Sequence, residues 1–262
     1  MKIIIVMLMQ LTCFSVFAQP GSWKQVGGDA GWANTKQMAQ INDKIYTIDQ
    51  SGALYETTAT TGAWKKLGGS VYGNTTFMFA GNGSLYTIET SGSLYAISTA
   101  NGSWKQVGGS GAWSDTKAGV ILNGKLYTAE KTGALAVTNL STGARSTIGG
   151  ADFAATWKMW TANGKLYTIE SSGTLYEINP ADGKWTQVGE DFSRKYTIAG
   201  VVFNNLFYAA QLGGELLEIN LATNESKQLG TAAFGSTVFM TAGTKKIYSI
   251  ESSGSLYEIN VN

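Results

Sequence analysis

Six positions spaced 40 or 41 residues apart carry an acid or its amide: Asp49, Glu89, Glu130, Glu170, Gln211 and Glu251. Each closes a β-patterned stretch and precedes a short turn such as Ser-Gly. A second series runs ahead of them in every unit: Trp32, Tyr72, Trp113, Phe153, Arg194 and Phe234. A carboxylate accepts hydrogen bonds from vicinal hydroxyls, and an aromatic face covers the C–H side of a ring. That combination suits a sugar. Each series also has a plain structural reading. The acids could cap turns, sit in solvent or pair with Lys36 or Lys117. The aromatics could be wedges buried between packed elements. The candidate ligand contacts are therefore Trp32, Tyr72, Trp113, Phe153 and Phe234 as platforms, with Asp49, Glu89, Glu130, Glu170 and Glu251 as acceptors. The fifth unit departs, with Arg194 and Gln211 in place of aromatic and acid, so at most five competent sites are expected.

The residues around these series say what must position them. A phrase G-x-W-x-x-x-G places Trp23, Trp64, Trp104 and Trp185 at one phase, with Arg145 and Ser226 there in two degenerate copies. These tryptophans are read as packing on outer strands. A second phrase begins with an apolar residue and tyrosine, giving Tyr46, Tyr86, Tyr127, Tyr167, Tyr208 and Tyr248. These tyrosines are read as core, each hydroxyl needing a partner. Thr35, Thr75, Thr116, Thr156, Thr197 and Thr237 hold one further position in all six units. They are expected to line a central channel or to bond adjacent units.

One unit resolves into four short strands. Thr35 to Ile41 is the first and Lys44 to Asp49 the second, rich in Ile, Tyr and Thr. Ala53 to Thr58 is the third and Trp64 to Leu67 the fourth. The first turn reads Asn42-Asp43, then Asn82-Gly83, Asn123-Gly124, Asn163-Gly164 and Asn204-Asn205. Asn-Gly is a strong hairpin signal because both residues tolerate positive φ in a type I′ turn. No window carries the i, i+3, i+4, i+7 spacing of an amphipathic helix. Six four-stranded units with a period near 40 predict an all-β, six-bladed β-propeller. The last unit has only three strands, and residues 19 to 28 hold an unpartnered Trp phrase. The N-terminal strand is therefore expected to complete the last blade and close the ring. In a four-stranded blade the entry into the first strand and the second turn lie on one face, so the aromatics and acids converge there.

Residues 1 to 18 read as a secretory signal peptide, with Lys2, an apolar run from Ile3 to Met9, and Val16-Phe17-Ala18 before Gln19. Thr12 makes Cys13 a poor lipoprotein site. The remaining 19–262 is expected to be one domain, secreted or periplasmic, with no membrane insertion. The chain has no histidine and one cysteine, Cys13, so the exported part has neither. Its 19 basic residues, Lys2 among them, nearly balance 18 acidic ones, which gives nucleic acid or an anionic membrane no bulk charge to hold. The lack of histidine and cysteine removes the usual general base and the usual ligands for zinc, copper, iron and haem. No cofactor or metal is expected. Only Arg145 and Arg194 are arginines, which disfavours sialidase chemistry. No nucleophile elbow, P-loop or dinucleotide fingerprint appears in a fitting context. A glycosidase would need two carboxyls flanking one cleft. Acids that recur once per unit suit repeated binding better than one catalytic centre.

Trp23-Lys-Gln-Val-Gly-Gly with Gly31-Trp32, Trp104-Lys-Gln-Val-Gly-Gly with Ala112-Trp113, and Gly92-Ser-Leu-Tyr95 resemble the tectonin and tachylectin-2-like lectin propellers. The repeats are shorter than those of tachylectin-2, and there are six rather than five. Asn163-Gly-Lys-Leu-Tyr is also similar to a kelch repeat, without its Gly-Gly. The resemblance implies a non-catalytic propeller binding glycans or glycoconjugates at several equivalent sites. A protein-interaction or structural scaffold, with a protein partner on the top face, is the alternative.

Overall fold

The computed structural model describes residues 19–191 and 193–261. The proposed signal peptide lies outside them. Among the described residues there are twenty-four strands, β1 to β24 in chain order, and no helix. They form six four-stranded antiparallel sheets. The first blade comprises β2 (Thr35–Ile41), β3 (Lys44–Asp49), β4 (Leu54–Thr58) and β5 (Trp64–Leu67), in that order. Blades two to five repeat it.

The turn chemistry is the expected one. Asn82 and Gly83, Asn123 and Gly124, and Asn163 and Gly164 all have positive φ, as do Asn204 and Asn205. The last blade is completed from the far end of the chain. β1 (Trp23–Val26) pairs with β24 (Leu256–Ile259) in register Trp23↔Ile259 to Val26↔Leu256. Two backbone bonds clamp the seam, Gly21 N–H to Asn260 O at 2.7 Å and Asn260 N–H to Ser22 O at 2.9 Å.

The apolar core lies between blades. One cluster joins Tyr46, Ile48 and Leu54 of blade one to Tyr72, Leu85 and Ile97 of blade two. Another joins Leu256 and Tyr248 of blade six to Trp32 and Ile45 of blade one. A single blade cannot bury both of its faces, so each depends on its neighbours.

A repeated backbone bond sets the loop into every blade. The N–H of Trp32, Tyr72, Trp113, Phe153, Arg194 and Phe234 donates to Gly254, Gly52, Gly92, Gly133, Gly173 and Gly214, respectively, each in the preceding blade. Gly173 illustrates why glycine stands there. Its φ is +94°, and a Cβ would fall 2.3 Å from Lys195 Cα.

Candidate functional site

The core tyrosines are buried, as expected, and three of them satisfy their hydroxyls on third-strand acids. Tyr167 donates to Glu177 at 2.7 Å, Tyr208 to Glu218 at 3.0 Å and Tyr46 to Glu56 at 3.3 Å. Lysines complete these clusters, such as Lys44 and Lys65 on Glu56. This acid series is structural, and the sequence reading passed over it. Burial, then the neighbouring acid Glu258, pushes the Tyr248 phenol up to about 12.

The loop aromatics are wedges rather than platforms. Trp32, Tyr72, Trp113, Phe153 and Phe234 are only 1–6% exposed. Their partners lie within the protein. Trp113 Nε1 donates to Thr138 Oγ1 at 3.1 Å, Trp32 Nε1 to Thr57 Oγ1 at 3.4 Å, and the Tyr72 hydroxyl to Gly102 O. The repeats show the same coupling. Where the loop residue is tryptophan, the facing third-strand residue is threonine. Elsewhere it is Ile97, Ile178, Ile219 or Ile259. An indole N–H needs an acceptor when buried, and a phenyl ring does not. Of the five residues expected as ligand platforms, Trp32, Tyr72, Phe153 and Phe234 line cavities from their buried side. All five are buried, as an inner wall would be.

The half-exposed aromatics are the tryptophans read as outer-strand packing. Trp23, Trp64, Trp104 and Trp185 are 44–59% exposed. Each meets a third-strand tyrosine edge to face. The pairs are Trp23 with Tyr257, Trp64 with Tyr55, Trp104 with Tyr95 and Trp185 with Tyr176. Their centroids are 4.9–5.3 Å apart and their planes cross at 83–89°.

These pairs border four equivalent cavities. Each opens where the loop into a blade meets that blade's second, third and fourth strands. Blade one contributes Trp32, Asp49, Tyr55 and Trp64 around about 200 Å³. Blade two contributes Tyr72, Glu89, Tyr95 and Trp104 around about 210 Å³. Blade six contributes Phe234, Glu251, Tyr257 and Trp23 around about 170 Å³. Blade four contributes Phe153, Glu170, Tyr176 and Trp185 around about 50 Å³. Its smaller space goes with Asp152, whose Oδ2 accepts from Trp185 Nε1 at 3.1 Å. Strand alternation puts these groups together. Asp49 sits two residues beyond Thr47, which pairs with Tyr55, and Trp64 pairs with Thr57. All therefore project from one sheet face.

The acids reach these cavities in different states. Asp49 Oδ1 accepts from Ser51 Oγ at 2.6 Å and Ala53 N–H at 2.9 Å, so it also caps its turn. Those bonds hold its carboxyl below the usual range against the opposing effect of burial. The Glu89 carboxylate makes no hydrogen bond or ion pair with the described residues, and burial pushes it up. Glu251 is raised by burial too, although Thr237 and Ser249 donate to its Oε1. Its Oε2 is buried without a partner, as is Thr87 Oγ1 in blade two. Glu170 accepts a long bond from Ser172 at 3.4 Å. Lys36 and Lys117 do not pair with these acids; they donate to the backbone carbonyls of Gly73 and Ala154.

Blades three and five are different. In blade three Ala136 and Arg145 replace tyrosine and tryptophan, and Arg145 Nη2 donates to Glu130 Oε1 at 2.8 Å. Glu130 is buried, with Oε1 held by Arg145 and by Thr128 Oγ1 and Oε2 buried without a partner, so its charge is already answered from within the chain. In blade five Gln211, Leu217 and Ser226 replace acid, tyrosine and tryptophan, and Arg194 is buried against Asn224. Four blades thus carry the full set of tryptophan, tyrosine and acid, against an expected ceiling of five sites.

The repeated threonines face the acids rather than the channel. Thr35 pairs with Asp49, Thr75 with Glu89 and Thr237 with Glu251, each just before a bulge. The channel is instead lined by residues such as Met38, Phe77, Phe79, Trp157, Lys158 and Val238, around about 210 Å³.

No family model matches the chain, and no curated protein does. Solved structures share its propeller fold. It is similar to PorZ of Porphyromonas gingivalis, a surface component of the type-IX secretion system, at 14% identity and TM-score 0.55. That match covers 91% of this chain and 39% of PorZ. It is similar to virginiamycin B lyase from Staphylococcus aureus at 12% identity and TM-score 0.60, covering 88% and 81% of the two chains. It is also similar to YCF48 bound to D1 peptide, at 14% identity and TM-score 0.58, covering 87% and 78%. Identities this low carry the fold and nothing finer.

Proposed function

We propose that this protein is an exported, non-catalytic carbohydrate-binding propeller with four repeated shallow pockets. One observation carries the reading. The half-exposed tryptophan, the perpendicular tyrosine and an acid without a cationic partner occur together in blades one, two, four and six. In blades three and five the two aromatics are lost together, and the acid is paired or gone. Packing alone does not require that linkage, because blades three and five are complete sheets without it. A binding site does require it. Resemblance to tectonin and tachylectin-2-like lectins points the same way. The pockets of blades one, two and six each hold one carboxylate, which fits binding rather than a two-carboxylate hydrolytic centre.

The test is a glycan array on residues 19–262, with Trp64→Ala combined with Trp104→Ala. Glycan binding that falls in the folded double variant supports the reading. No glycan bound, or binding unchanged, refutes it. A second reading rests on the channel, where Trp157 and Val238 stand exposed among a lining that includes Phe77, Phe79, Lys117 and Lys158. A peptide docked there would be lost in Trp157→Ala and untouched by Trp64→Ala.

A further inference from the structure

The third blade shows what such a pocket accepts. Arg145 stands at the position of Trp64, Trp104, Trp185 and Trp23, and its guanidinium lies 2.8 Å from the second-strand acid. The chain there supplies, from its own fourth strand, a cation for the carboxylate. In the fifth blade a cation, Arg194, enters at the inner wall, and the acid is replaced by the neutral Gln211. Where no internal cation is present, the acid remains and both aromatic rings are added.

The four open pockets carry the complementary charge. No lysine or arginine lines any of them. Their charged groups are Asp49, Glu89, Glu251, and Asp152 with Glu170. Two π faces at right angles beside a carboxylate attract a positive nitrogen through both the ring quadrupoles and the charge. A neutral sugar uses the stacking and the hydrogen bonds but leaves that charge unanswered. Burial raises the carboxyls of Glu89 and Glu251, as befits acids without a counter-charge.

We propose that the four open pockets select a cationic amine, carried on a sugar whose nitrogen is not acetylated. This rests on the carbohydrate reading above and names the class of sugar. The test is calorimetry on the full chain with a glucosamine tetramer and its fully N-acetylated counterpart, at low and high salt. The amine tetramer should bind roughly tenfold tighter. Its advantage should shrink as salt rises. Glu89→Gln with Glu251→Gln should shrink that advantage, bringing the ratio of the two affinities toward one. If those variants do not fold, the salt series on the unaltered protein decides. Acetylated tetramer binding as tightly as the amine overturns cation selection and leaves the carbohydrate reading standing. Failure of both tetramers to bind overturns the amine-sugar proposal, while the carbohydrate reading stands or falls on the glycan array.

Discussion

Trp64 and Trp104 stand half out of the protein, whereas Trp113 is 1% exposed with its indole N–H on Thr138. Trp113→Ala should therefore cost about 3–5 kcal/mol of stability, read as a fall in melting temperature. Trp64→Ala should shift stability by under about 1.5 kcal/mol, the scale of one edge-to-face pair. Its effect should appear in ligand affinity instead. Glu89 offers a pH test. Its folded carboxyl is raised above the ordinary value of 4.5 by burial. The folded state therefore binds the proton more readily than the unfolded state. Any stability it contributes is present at low pH and lost as pH rises through the raised value. Glu89→Gln should raise the melting temperature at pH 7, with the gain shrinking toward pH 4. A variant less stable at neutral pH would show that the carboxylate has a stabilising partner.

At the scale of the blade, pattern and turn chemistry made the fold legible. Alternation and Asn-Gly turns placed β2, β3 and β5 at their observed bounds, with β4 one residue shorter than expected. The site was only half legible. The acids that line the cavities stand out because repetition marks them, and their shared face with the loops follows from hairpin geometry. The tryptophans lie on the outer strands as expected, but their half-exposure was not legible, because a repeated aromatic on a short outer strand looks the same whether its face is covered or open. The partner tyrosines were missed because Tyr55, Tyr95, Tyr176 and Tyr257 read as ordinary β-formers. The signal that could have found them is their joint replacement by Ala136 and Leu217 in the two blades that also lack tryptophan. That pattern gives an element-scale prediction. Arg145→Trp with Ala136→Tyr should rebuild a pocket on blade three and raise binding stoichiometry from four to five. Arg145→Ala alone should cost about 3 kcal/mol, because Glu130 is left buried and unpaired.

At the scale of the whole molecule, the seam between β1 and β24 makes the ring one cooperative unit. Deleting residues 19 to 28 should expose the edge of β24, uncover Leu256 and Ile259, and lower the melting temperature sharply. An unchanged melting temperature would mean that the ring does not need its closing strand. The four pockets are also unevenly placed on that ring. Blades six, one and two are consecutive, whereas blade four lies across the ring from blade one. A single polymer strand following the rim can engage three neighbouring pockets, each contact raising the effective concentration for the next. The fourth pocket faces away from that arc and is free for a different strand. If the pockets bind a polymer as proposed, a single copy of the protein should fasten on one fibre, tether another and clump a suspension of its ligand.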